Sequence, residues 1–129
     1  MSAQPQQVPH TPDAAKVATD NDLFRKFACL GEAPPYRIPG KLVWTSNLGA
    51  VGDDFVGKAI KAVGEHATFD EDNDPEGYHD FGAIDIEETK IFFKIDMYEL
   101  GSDFRYGAEH PDDPRQTDRV LTIMLATDW

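Results

Sequence analysis

Apolar residues recur along the chain in two rhythms, and the switch between them sketches the fold. In DNDLFRKFACL, Leu23, Phe24, Phe27 and Leu30 fall on one stripe at three- and four-residue spacing, the mark of an amphipathic helix. Asp20 or Asn21 is placed to cap this helix and Gly31 to end it. DDFVGKAIKAVGEHA repeats the rhythm. Phe55, Val56, Ala59, Ile60 and Val63 share a face, Lys58, Lys61 and Glu65 point away, and Asp53 or Asp54 opens the helix. Gly57 and Gly64 each cost about 1 kcal/mol there relative to Ala, which close approach to a sheet would explain.

Elsewhere the period falls to two. KLVWT (41–45) reads as a strand, followed by SNLGAVG as a turn. FGAIDIE (81–87) and KIFFKIDMY (90–98) form a hairpin joined across Glu88-Thr89. Pairing 87 with 90 brings Ile84, Ile86, Ile91, Phe93 and Ile95 to one face, and leaves Asp85, Lys94 and Asp96 with Phe81, Ala83 and Phe92 on the other. A slip of one residue would scramble both sets. RVLTIMLATDW is apolar on both alternating faces, as befits a central strand covered on both sides. EAPPYRIPG and ELGSDFRYGAEHPDDPRQTD, rich in Pro and Gly, are connectors. The expected fold is therefore α+β: a small, mostly antiparallel sheet of about four strands, with two helices packed on one face. Residues 1–19 are polar and aperiodic and are expected to form a flexible tail, which leaves 20–129 as a single domain.

Charge sharpens this picture. The 129 residues carry 24 acidic and 12 basic groups, a net −12. Residues 1–68 hold seven of each sign; residues 69–129 hold seventeen acidic and five basic, so the second half carries the whole imbalance. Direct binding to nucleic acid or to an anionic membrane demands the opposite sign, and neither is expected. The lone Cys29 excludes an internal disulfide and suits a small buried apolar residue. No apolar run reaches membrane-spanning length, and the first residues lack the features of a leader. A cytoplasmic location is the expectation.

Candidate chemistry concentrates in DEDNDPEGYHDFG (70–82). Asp70, Asp72 and Asp74 stand at the first, third and fifth positions of a calcium-type loop. Pro75 occupies the place of its turn glycine, however, and Phe81 that of its bidentate glutamate. His79 and Asp80 are adjacent and point apart in an extended segment, while His66 and His110 lack ligand spacing, so no metal or other cofactor is expected. No nucleophile elbow or phosphate loop occurs. His79 is read as pinning the loop and Asp80 as capping a turn amide, with Pro75 and Gly77 shaping it.

Three blocks, NDPEGYHDFG (73–82), IFFKIDMY (91–98) and RVLTIMLA (119–126), together with LVWTSNLGAVGDDFVGKAIKAV, resemble an uncharacterised family of small bacterial proteins. That family shares an N-D-P-x-G-x-H-D-F-G signature and is frequent on plasmids and genomic islands of proteobacteria. The resemblance spans roughly residues 41–129, brings no catalytic residues with it, and implies work in element maintenance or against host defences.

Three functional readings follow. The first is a non-enzymatic inhibitor from a mobile element. It would bind a basic subunit of a nucleic-acid-handling defence complex, of CRISPR or restriction type, as a nucleic-acid mimic. Asp70, Glu71, Asp72, Asp74, Glu76, Asp112 and Asp113 would meet the partner's Lys and Arg. The alternative is a small hydrolase or metal-dependent enzyme built on His79, Asp80 and Asp96. A regulator docking through the mixed sheet face is a third option.

Overall fold

The computed structural model describes residues 10–129. Three helices, α1 (Ala14–Leu30), α2 (Ser46–Val51) and α3 (Asp53–Glu65), accompany four strands, β1 (Gly40–Trp44), β2 (Phe81–Ile86), β3 (Thr89–Glu99) and β4 (Thr117–Leu125). A single 3₁₀ turn, Ala126–Asp128, ends the chain. The sheet order is β1-β4-β3-β2, antiparallel throughout except where β1 runs parallel to β4. This is the expected α+β architecture.

One face of the sheet builds the core. Ile91, Phe93, Ile95, Leu121 and Ile123 pack against Phe24 of α1, Leu48 of α2 and Phe55, Val56, Ala59 and Val63 of α3. α1 and α3 approach closely at Gly64, where an added Cβ would lie 2.6 Å from Leu30 Cγ and 2.8 Å from Cys29 Cβ. The glycine therefore serves helix-to-helix contact rather than contact with the sheet, and Gly57 faces open space. Burial pushes the Cys29 thiol up to about 11, so it stays protonated and inert at neutral pH.

Several boundaries differ from the sequence reading, each for a physical reason. α1 begins at Ala14, capped by Asp13, whose carboxylate accepts the Lys16 amide at 3.3 Å. Residues 14–19 are thus helical rather than a tail; residues 1–9 lie outside the described residues. Asp20 and Asn21 are not caps. They sit mid-helix and fully buried because side chains, rather than helix-end amides, satisfy them: Lys16 and Tyr36 at Asp20, and Arg119 at Asn21. SNLGAV is a short helix, since the Thr45 hydroxyl accepts the Leu48 amide and caps it. The hairpin register is displaced by two residues: Ile86 pairs with Thr89 and Ile84 with Ile91. Glu87 and Glu88, at φ 49° and 72°, form the two-residue turn whose twist suits a hairpin. An even displacement preserves both faces, so the isoleucines still share one side.

β4 is central, as expected, but its outer side is only partly covered. The face away from the helices bears Phe81, Phe92, Lys94, Asp96, Tyr98, Val120 and Met124. Trp129 rests on it at one end, 5.3 Å from Phe81 and 6.0 Å from Phe92 between ring centroids. Phe104 rests at the other, 5.9 Å from Tyr98 and under the Lys41 ammonium.

Candidate functional site: an acidic groove with an aromatic wall

The loop between α3 and β2 is held from within. The Asp70 carboxylate accepts the Asn73 amide at 2.9 Å, and the Asp70 carbonyl accepts the Asp74 amide at 2.8 Å. Asp74 then folds inward, 7% exposed, and its Oδ1 accepts the amides of Tyr78 and His79 at 2.8 and 3.0 Å. Gly77, at φ 72°, donates its amide to the Asp74 carbonyl and makes the tight return. His79 occupies the same left-handed region at φ 55°, an unfavourable conformation for a residue with a side chain. Its ring is fixed on two sides: Nδ1 lies 2.9 Å from Asp22 of α1, and the ring stacks flat on Phe69 at 4.0 Å. The ring is thereby set between α1 and Phe69.

A second acidic segment, 109–113, is anchored at the same place. Arg119 is fully buried at the start of β4; its Nε donates to Asn21 Oδ1 at 2.6 Å and one terminal nitrogen donates to the Pro111 carbonyl at 3.0 Å. Asn21 in turn donates to the Tyr78 carbonyl at 2.9 Å. One buried Asn–Arg pair therefore ties both acidic loops to α1. Desolvation lowers Arg119 to about 10, partly offset by Asp20 and Tyr36, so it stays cationic at neutral pH. In the sequence Asn21 reads as a candidate helix cap and Arg119 as the opening of a strand, and neither reads as buried. An Asn among polar residues and an Arg opening a strand give no signal of burial.

Of the seven acids expected to meet a partner, four have work inside the molecule. Asp70 and Asp74 shape the loop as described. Asp112 accepts the Asp13 amide at 3.0 Å and lies 3.0 Å from His10 Nε2. Asp113 is held by Arg115 and Gln116, which draw its carboxyl well below the usual carboxylate range. Glu71, Asp72 and Glu76 are exposed, and among the described residues no ion pair engages them.

Asp72 and Glu76 open onto a shallow groove of about 360 Å³, lined also by Asn73, Pro75, Asp80, Phe81 and Trp129. Its charged lining is entirely acidic. Trp129 is 72% exposed and forms an aromatic wall. The backbone before it is anchored through Asp128, whose carboxylate accepts from Thr45 Oγ1 at 2.6 Å, Asn47 at 2.7 Å and the Leu125 amide at 3.1 Å, and the indole itself leans on Phe81 and Phe92. Burial, and after it the fields of Asp74, Glu76 and Asp96, push the Asp80 carboxyl up to about 6. That elevation records desolvation first, with neighbouring carboxylates adding to it. A larger hollow of about 640 Å³ beside Tyr36 mixes Arg37 with Asp118 and has no such bias.

The trio proposed for catalysis is not assembled by direct contact. His79 turns to Asp22 and Asp74, at 2.9 and 4.0 Å, and Asp96 pairs with Lys94 along β3 at 3.1 Å. Asp80 feels Asp96 only as part of its surrounding field.

The comparison with known families covers this segment together with most of the chain. A model described as "Protein of unknown function (DUF3768)" matches residues 44–128, from the end of β1 to the residue before Trp129. The chain belongs to the DUF3768 family. The match contains the 70–82 loop, the hairpin and β4, whereas α1, which supplies Asn21 and Asp22 to that loop, precedes it. No curated protein matches the chain, nor does any solved structure. No helix of the described residues is long and apolar enough to cross a membrane.

Proposed function

We propose that this DUF3768 protein is a non-enzymatic interaction module. Its acidic groove takes a Lys or Arg side chain of a basic partner, a subunit that itself handles nucleic acid. The observation that carries this reading is the groove at Trp129, with carboxylates as its only charged lining and an exposed indole as its wall. A cation on an aromatic face beside carboxylates gains from both. Preorganisation favours the same reading, because Asp74 and Asp128 fix the two sides of the groove before any partner arrives. Glu71, Asp72 and Glu76 extend the negative field and would occupy a basic surface made for phosphates. A role against CRISPR or restriction complexes, carried on a mobile element, accords with the family resemblance.

The test uses the full chain as bait in cells carrying such defence systems, at low and then raised salt. The expected outcome is capture of a basic nucleic-acid-binding subunit that salt releases, with capture lost in Asp72→Lys/Glu76→Lys and weakened in Trp129→Ala. Undiminished capture by the double variant overturns the reading.

A second reading rests on Asp80. A carboxyl near 6 in a groove has the proton affinity of a general acid. It predicts a small-molecule conversion that Asp80→Asn abolishes and Asp72→Lys/Glu76→Lys leaves intact.

A further inference from the structure

The fold brings together three side chains that lie far apart in the sequence and outside the groove. His10 precedes the cap of α1, and His110 and Asp112 lie in the connection between β3 and β4. One ligand atom from each falls within 4.8 Å of the others. We propose that His10, His110 and Asp112 form a binding site for a first-row divalent cation of zinc type, which staples the start of α1 to the β3–β4 connection.

The donor set fits that chemistry. Two imidazole nitrogens and one carboxylate oxygen suit zinc and its neighbours, and three protein ligands leave a coordination position for water. The edge between His10 Nε2 and Asp112 Oδ1 is 3.0 Å. A tetrahedral ion with bonds near 2.0 Å requires an edge of about 3.3 Å, so this pair needs little adjustment. The His110 ring stands 4.3 Å from the His10 ring, tilted by 49°. An ion pair between His10 and Asp112 has no need of a second imidazole. Two imidazoles at that distance oppose each other when protonated, whereas a shared cation uses the lone pairs of both.

The backbone of the 110–113 segment is held independently of the ligand side chains. The His110 carbonyl accepts Thr117 Oγ1 at 2.8 Å and the Asp113 amide at 2.9 Å, and Thr117 is fully buried. The Pro111 carbonyl accepts from buried Arg119. On the other side, the Asp13 amide donates to Asp112 Oδ2 at 3.0 Å, which locks the entry to α1 against the loop. These are the supporting contacts that orient metal ligands. His10 and Asp112 are 102 positions apart, so the ion would close nearly the whole chain into a loop and restrict the unfolded state.

Untagged full-length protein, stripped with a chelator, should bind one equivalent of Zn²⁺ at neutral pH in a competition assay, and its melting temperature should rise with added Zn²⁺. His10→Ala and His110→Ala should each weaken binding by at least about tenfold. His10 is exposed, so its variant keeps the fold and reads the site alone. His79→Ala should bind as the parent does. Absence of saturable binding, or binding that survives both His10→Ala and His110→Ala, overturns the proposal.

Discussion

The buried carboxylate of Asp74 accepts the backbone amide of His79 at 3.0 Å, five residues along the chain. This contact holds His79 at φ 55° while its ring reaches Asp22 and stacks on Phe69. The most acidic loop of the protein is thus organised around an acid turned inward. What it presents to solvent is Asp70, Glu71, Asp72 and Glu76.

Substitutions within this loop should therefore divide sharply. Asp74→Ala strands the amides of Tyr78 and His79 and should cost about 2 kcal/mol, together with lost protection of those amides in hydrogen exchange. Asp72→Lys and Glu76→Lys, whose side chains are exposed, should leave the denaturation midpoint nearly unchanged. Equal losses from the two kinds of change would show that the loop is not built on Asp74.

The Asn21–Arg119 pair should be the most sensitive polar contact of the interior. Asn21→Ala leaves a buried guanidinium short of an acceptor and the Tyr78 carbonyl short of a donor, at a cost of about 3 kcal/mol. Because the pair anchors both acidic loops, the loss should appear as exchange broadening around Tyr78 and Pro111 in NMR spectra as well as in the urea midpoint. A change confined to α1 would contradict the shared anchor.

The sequence made the layers of this fold legible and concealed its polar interior. Ile84, Ile91 and Phe93 announce a buried face through alternation, and a register error of two residues leaves that face unchanged. Helical spacing in α3 is equally plain. α1 misleads because Asp20 and Asn21 have the chemistry of caps, and only their partners 16 to 98 positions away reveal that they are buried instead. The groove is hidden in the sequence for a related reason. Trp129 sits at the chain end, and its position depends on Asp128 meeting Thr45 and Asn47 across the sheet. The acids were visible, but which of them face outward depends on turn hydrogen bonds that composition does not encode.

Gly82, the last residue of the signature block, is required by packing. A Cβ there would stand 2.2 Å from Phe93 Cε2 and 3.0 Å from His66 Nε2. Both rings lie in a closed cluster with Phe69, at 5.4 Å from each other and 5.0 and 6.4 Å from it. Neither can yield without disturbing the ring stacked on His79. Gly82→Ala should lower stability by about 2 kcal/mol, whereas Gly57→Ala, which meets open space in the exposed part of a helix, should raise it slightly. Guanidinium unfolding of the two variants measures both signs.

Asp80 gives the groove a pH signature that also tests its occupant. Its folded value, about 6, lies above the ordinary 3.8. Between about pH 4 and 6 the folded chain therefore holds this proton more tightly than the unfolded chain, and the group's stabilising contribution declines as pH rises through that window. Asp80→Asn removes the penalty of the ionised form. The variant should melt above the parent at pH 8, with the gap closing toward pH 4; a constant gap would show that Asp80 is not titrating there. The lowered carboxyls of Asp112 and Asp128 act in the opposite direction but are common to both proteins. A basic side chain entering the groove supplies the missing cation and draws the Asp80 value down, so binding near pH 6 should release protons. Calorimetry in buffers of different ionisation enthalpy reads that release. Proton release in the parent and none in Asp80→Asn would place the partner's cation beside Asp80, and equal release in both would place it elsewhere.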